Sequence, residues 1–367
     1  MGISALFMPP ITGILADRFI NAEKLYGILH LLGGISLYFI PSATTPDHMF
    51  WTILITMLFY MPTISLSNTV AYHILSKNQL DVVKNFPPVR VWGTVGFIAA
   101  VWTVSLTHNE TSEFQFYLAS IVSFALAIYS FTLPSCPPLG KNLPKKSWRN
   151  SLGLNAFQMF KEKQFAVFFL FSMLLGAALQ LTNAYGDTFL QDFKSQEQFA
   201  NSLAMKYPAI ILSISQISET LFILTIPFFM KRFGIKQVMI FSMVAWVLRF
   251  ALFAFGDPGN GLWMIVLSCI IYGMAFDFFN ISGSLFIETS VDAGIRSSAQ
   301  GLFTMMVNGI GAILGSLVSG KIIEMYFIHD NVKDWHSIWL VFAAYAIIVT
   351  ILFLLLFKNK QTQSIES

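Results

Sequence analysis

The sequence predicts an all-α protein that crosses a membrane many times. Hydrophobic residues make up 55% of the chain and charged residues 11%, with a mean hydropathy of +0.66, against roughly a quarter charged in soluble domains. The apolar residues fall into eleven runs, most of them long enough to cross a bilayer core of about 30 Å. The connections between the runs alternate in charge. Together these observations exclude a soluble domain, and a formal charge of only +3 implies no nucleic-acid partner.

Met1 to Leu15 lacks the basic n-region and small-residue cleavage site of a signal peptide, so it reads as the remainder of a span. The other runs cover Leu25 to Ile40, Met49 to Ile74, Pro88 to Leu106, Phe114 to Leu133, Phe165 to Tyr185, Tyr207 to Met230, Val238 to Phe255, Leu262 to Ile287, Ala299 to Tyr326 and Ile338 to Phe357. Basic residues cluster in every second connection: Arg18 and Lys24; Lys77 and Lys84; Lys141, Lys145, Lys146, Arg149, Lys161 and Lys163; Lys231, Arg232 and Lys236; Arg296; Lys358 and Lys360. The connections near Asp47, Glu110 and Asp257 carry none. Basic loops stay in the cytoplasm, so the C-terminus is expected inside and Met1 outside.

The longest polar connection divides the chain into an N-terminal bundle over residues 1–133, a cytoplasmic linker over 134–163 and a C-terminal bundle over 164–367, with five and six spans respectively. GILADRF at Gly13 to Phe19 and PFFMKRFGIK at Pro227 to Lys236 each place a basic turn between two spans, at matching positions of the halves. The two cysteines, Cys136 in a Pro-rich loop and Cys269 in a span, suggest neither a disulfide framework nor a metal site. Asn109, Glu110 and Thr111 form a glycosylation sequon, a pattern with many false positives.

Chemistry concentrates in Tyr272 to Glu288, YGMAFDFFNISGSLFIE. At 100° per residue Asp277, Asn280, Ser284 and Glu288 share one helix face, with Tyr272 and Phe276 on the face beside it. A carboxylate at bilayer depth costs about 3 kcal/mol on insertion scales, so this face is expected to line a polar interior, by default a substrate or ion site. Tyr272 and Phe276 offer flat surfaces on which a base can stack, although in a chain with 37 Phe aromatic rings are more often packing. Arg90, Thr94 and Phe97, spaced i, i+4, i+7, share a face of the helix after Pro87 and Pro88; a snorkelling Arg90 at the helix start is the alternative. Gln180 with Asn183, and Gln216 with Glu219, are i, i+3 pairs inside apolar runs. Amides suit vicinal hydroxyls or a base edge, and equally a bond to a neighbouring helix. Glu219 can accept from a ribose diol, carry a proton, or pair with Arg90 or Arg249; Asp277 can carry a proton or bond Asn280. Gly309, Gly311, Gly315 and Gly320 read as close helix packing.

The loop GILADRF resembles the signature of the major facilitator superfamily, a fold of two six-helix bundles, with PFFMKRFGIK as its weaker echo. RVWGTVGF (Arg90 to Phe97), LQLTNAYG (Leu179 to Gly186), SQISE (Ser215 to Glu219) and YGMAFDFFNISGS (Tyr272 to Ser284) are similar to segments of its nucleoside:proton symporter family, in the same order. The resemblance covers essentially the whole chain. It implies a two-bundle fold of eleven spans lacking the first transmembrane helix. It further implies a multi-pass inner-membrane monomer in the lipid bilayer that imports nucleosides with protons by alternating access. The proton gradient is the driving force and no cofactor is implied. The implied substrate site is Arg90, Thr94, Phe97, Gln180, Asn183, Gln216, Glu219, Tyr272, Phe276 and Asp277. Glu219 and Asp277 couple the proton, since burial lets a carboxyl titrate nearer the working pH. Residue type alone leaves Na+ coupling open. The rival readings are a carrier of another hydroxylated solute such as a sugar, and a non-transporting receptor of the same fold. No HExxH, GxxxxGK[ST] or nucleophile-base spacing supports an enzyme.

Overall fold

In the computed structural model the described residues are 2–107, 109, 112–139, 154–193, 197–199, 202, 208–329 and 332–357. Glu110 and Thr111 of the sequon, residues 140–153 of the linker and the basic C-terminal residues lie outside them. The helices are α1 (Gly2–Arg18), α2 (Ala22–Phe39), α3 (Pro46–Lys77), α4 (Val82–Leu106), α5 (Phe114–Ser130), α6 (Lys163–Asp192), α7 (Pro208–Phe255), α8 (Leu262–Ser290), α9 (Arg296–Thr304), α10 (Ala312–Tyr326) and α11 (Trp335–Leu356). A π-helical segment, Met305–Gly311, joins α9 to α10, and a short hairpin of β1 (Ile328–His329) and β2 (Val332–Lys333) precedes α11.

Among the described residues each apolar run lies mainly on helix, and seven helical stretches are both long and apolar enough to span a bilayer, where the sequence reads eleven spans. One of these stretches, α7, holds two of the runs. It comprises two helices that meet at a kink in the basic turn, at Gly234, whose φ of 78° and ψ of 166° no β-carbon-bearing residue adopts easily. The second basic turn of the internal repeat is therefore a glycine hinge between two helical halves.

The chain forms two compact units. Residues 1–86, 95–162 and 284–310 make the first; 87–94, 163–283 and 311–367 make the second. In the first unit α2 packs on α3 and α5, and α1 packs on α3 and α9. Its core includes Ala16, Ala22, Leu25, Leu29, Leu66, Val70 and Cys136. Cys136 is drawn in because buried Glu23, in the first turn of α2, accepts from the Cys136 backbone N–H at 2.9 Å, while Ala22 N–H donates to the Cys136 carbonyl at 3.0 Å. Burial pushes the Cys136 thiol up to about 12, which leaves it almost wholly unreactive near neutral pH.

The first turn of α9 leaves backbone donors without helical partners. Asp17, at the end of α1, supplies the acceptors: Oδ1 takes Ser297 N–H at 3.1 Å, and Oδ2 takes Ser298 N–H at 2.7 Å together with the Ser298 hydroxyl. The approach is close because Gly13 has no side chain; a β-carbon there would lie 2.5 Å from the Ser297 carbonyl oxygen. Asp17→Ala strands these buried donors at a cost of about 2–4 kcal/mol, and Asp17→Asn, which keeps one acceptor, costs less. Thermal unfolding in detergent should place the melting temperatures in the order wild type, Asn, Ala.

In the second unit α11 packs on α7, and α10 on α6. Gly315 of α10 meets Ala177 of α6, where a β-carbon would be 2.9 Å from the Ala177 Cα, in keeping with packing by small residues. The core is aromatic: Trp339 is fully buried, with Phe189, Phe250, Phe253 and Phe342 around it at centroid distances of 4.9 to 5.9 Å. At one end of the unit, Asp192 of α6 accepts from Lys333 Nζ and Trp335 Nε1, each at 3.0 Å, which ties the hairpin to α6.

Candidate functional site

The site is built where α7 and α8 touch within the second unit. Gly273 lets the two backbones meet: a β-carbon there would fall 2.6 Å from the carbonyl carbon and oxygen of Ser218 and 2.7 Å from Glu219 N. The Ser218 hydroxyl donates across to the Ile270 carbonyl. This contact sets Glu219 against the face of α8 that carries Tyr272, Phe276 and Asp277. Gly273→Val must part the helices, at an overpacking cost of about 1–3 kcal/mol. Uptake should fall more than about tenfold in protein that still reaches the membrane, because the groups held by that contact separate.

Glu219 Oε1 accepts from Thr94 Oγ1 at 3.0 Å, joining two residues 125 positions apart. Arg90, one turn before Thr94, acts electrostatically on both Glu219 and Asp277, and these two carboxyls act on each other. No ion pair forms, so Glu219 is not locked to Arg90 or to Arg249; among the described residues the ion pairs are Arg296 with Glu288 and Lys333 with Asp192, both at 3.0 Å. Asp277 is 1% exposed, and neither of its oxygens has a hydrogen-bond partner, so the bond to Asn280 is not made. Tyr272 and Phe276 lie parallel, with ring centroids 5.7 Å apart and planes 2° apart. Thr94 is buried, and Arg90, Glu219, Tyr272 and Phe276 are each partly open. The arrangement offers a strong acceptor, a cation, a flat aromatic pair and one unsatisfied carboxyl.

Other expected residues sit less centrally. Gln180 and Gln216 are half-buried and Asn183 is exposed. Phe97 is 55% exposed and belongs to the first unit. The polar stripe of α8 divides. Ser284 accepts from Tyr72 at 2.7 Å and Asn68 at 3.2 Å and donates to Gln300 at 2.9 Å, while Glu288 pairs with Arg296; all of these belong to the first unit. A helical wheel places Asp277, Asn280, Ser284 and Glu288 on one face but cannot tell that the helix passes from one packing environment to another along that face.

Sequence reasoning raised Arg249 only as a partner for Glu219. The structure buries it to 3% exposure, with its guanidinium carbon 4.5 Å from the Tyr272 ring centroid and 4.8 Å from that of Phe253. The available signal was that it is the one ionisable side chain between Val238 and Phe255.

The profile of a family described as nucleoside H+ symporter matches residues 1–362. The nucleoside permease NupG of Escherichia coli (strain K12) is 51% identical over 364 residues, covering 99% of this chain and 87% of NupG. A crystal structure of NupG aligns with a TM-score of 0.71 over 98% of this chain and 88% of that one. The xanthosine permease of the same strain is 53% identical over 358 residues, covering 97% of this chain and 85% of that protein. At 12% identity, a crystal structure of FucP, a major facilitator superfamily transporter, in the outward conformation aligns with a TM-score of 0.65 over 95% of this chain and 87% of that one. That likeness gives the fold.

Proposed function

The chain belongs to the nucleoside H+ symporter family, and on that premise we propose that Arg90, Thr94, Glu219, Tyr272, Phe276 and Asp277 form the site where nucleoside and proton meet. The protein is a multi-pass membrane transporter of the major facilitator fold, importing nucleosides by proton symport, and is not an enzyme. One observation carries the site: a carboxylate already holding a hydroxyl, Glu219 with Thr94, lies within the electrostatic reach of a carboxyl that has no partner, Asp277.

A ribose diol replaces the Thr94 hydroxyl on Glu219 without leaving that carboxylate empty, since both are O–H donors. Tyr272 and Phe276 offer a base their parallel ring faces. Arg90 and the amides of Gln180, Asn183 and Gln216 answer the remaining hydroxyls and the base edge. An ionised carboxylate without partners at this depth costs several kcal/mol, and Asp277, whose oxygens have no hydrogen-bond partner, is the group assigned to carry the proton. Release of that proton to the far side then follows a change in the water reaching it. Bundles over residues 1–133 and 164–367, joined by the linker 134–163, rock about the site to expose it alternately. The transporter works as a monomer in the inner membrane with its C-terminus in the cytoplasm, drawing on the proton gradient and on no cofactor.

Competition against labelled uridine uptake into vesicles tests the substrate assignment. Unlabelled uridine should block uptake and free ribose should not, because ribose offers the diol without the base. Ribose competing as well as uridine would make this a carrier of hydroxylated solutes in general, and binding without accumulation would make it a receptor.

A further inference from the structure

We propose that Arg249 is a positioning residue for the nucleobase, acting through Tyr272; the inference rests on the reading of Tyr272 and Phe276 as the base platform. A buried arginine normally faces a carboxylate. Arg249, at 3% exposure, has none within ion-pair reach: the ion pairs among the described residues lie elsewhere, and its Nε has no partner. What surrounds it is one carbonyl, a thiol and two ring faces. Nη1 donates to the Ser268 carbonyl at 2.7 Å, the Ser268 hydroxyl returns a bond to the Arg249 carbonyl at 3.2 Å, and Cys269 lies beside the guanidinium. The rings are Tyr272 and Phe253.

A planar cation over an aromatic face is attracted by the ring quadrupole, and the attraction grows when water is excluded. The ring of Tyr272 is therefore held by its face from α7, while Trp246 closes its edge, 6.1 Å away at 88°. Four residues on, Phe276 repeats the same plane to within 2°. Tyr272 also lies in the fields of Glu219 and Asp277, so one ring joins the buried cation to the carboxyl cluster. Without Arg249 that ring regains freedom about its side-chain bonds, and a base meets one fixed plane instead of two. The proton-carrying groups are untouched.

Kinetics of labelled uridine uptake in proteoliposomes test this with Arg249→Lys, Arg249→Met, Tyr272→Ala and the double variant Arg249→Lys with Tyr272→Ala. Lysine keeps the charge but is a compact ammonium that cannot lie flat on a ring. Both Arg249 substitutions should raise KM about five- to tenfold, the loss of one desolvated cation–π contact. Maximal rate per transporter and the pH profile at saturating uridine should stay as in wild type. The lysine change should add nothing once Tyr272 is alanine. KM does not depend on how much protein folds, so a low yield of Arg249→Met leaves the reading intact. A raised KM in Tyr272→Ala with an unchanged KM in both Arg249 variants overturns the positioning role alone, as does a full further loss in the double variant. An unchanged KM in Tyr272→Ala overturns the stacking platform and this inference with it.

Discussion

Asp277→Asn should abolish concentrative uptake while leaving the protein able to bind and equilibrate uridine. A pH difference of two units sustains an accumulation of about a hundredfold at one proton per nucleoside, and a carrier that moves no proton sustains none. Asparagine keeps the shape of the carboxylic acid in a pocket where neither Asp277 oxygen has a partner, so little packing is disturbed. What it removes is the proton that the acid can lose. Labelled uridine in vesicles under an inward proton gradient should therefore reach an inside-to-outside ratio of about one, against tens in the wild type. A variant that still concentrates uridine would take coupling away from this residue.

Glu219→Gln should instead weaken substrate binding. The Glu219 carboxylate accepts from Thr94 at 3.0 Å and is assigned the ribose diol. Hydrogen bonds to a charged acceptor contribute about 1.5–3 kcal/mol each, roughly twice a neutral bond. An amide supplies one neutral acceptor and turns its other end into a donor facing the hydroxyls. Losing one to two charge-assisted bonds predicts a rise in KM of about 10- to 100-fold, with a smaller fold-rise for 2′-deoxyuridine, because that analogue already lacks one donor. Equal factors for both nucleosides would place the ribose elsewhere.

The helices were legible because each is written as an apolar run between polar or basic turns, and among the described residues each run lies mainly on helix. The turn at Lys231 to Lys236 reads as a gap between spans, and the structure kinks there at Gly234, between the two helices. Individual candidates for the proposed site stand out in the sequence for a related reason: Glu219 and Asp277 are costly where they stand. Their grouping does not. Thr94 and Glu219 are separated by 125 positions, and Ser284 shares a helical face with Asp277 while bonding Tyr72, 212 positions away. Arg249 shows the same limit, since ring faces as partners for a buried cation leave no spacing in the sequence. Asp17 was visible as part of a basic turn, but its acceptors serve α9, some 280 residues on.

The central claim is that nucleoside and proton use one cluster in the second unit. Its most direct measurement is the pH of the medium when unlabelled uridine is added to proteoliposomes with no gradient imposed. The account predicts alkalinisation in step with uridine entry, absent in Asp277→Asn. Uridine entering wild-type liposomes without any movement of protons would contradict it.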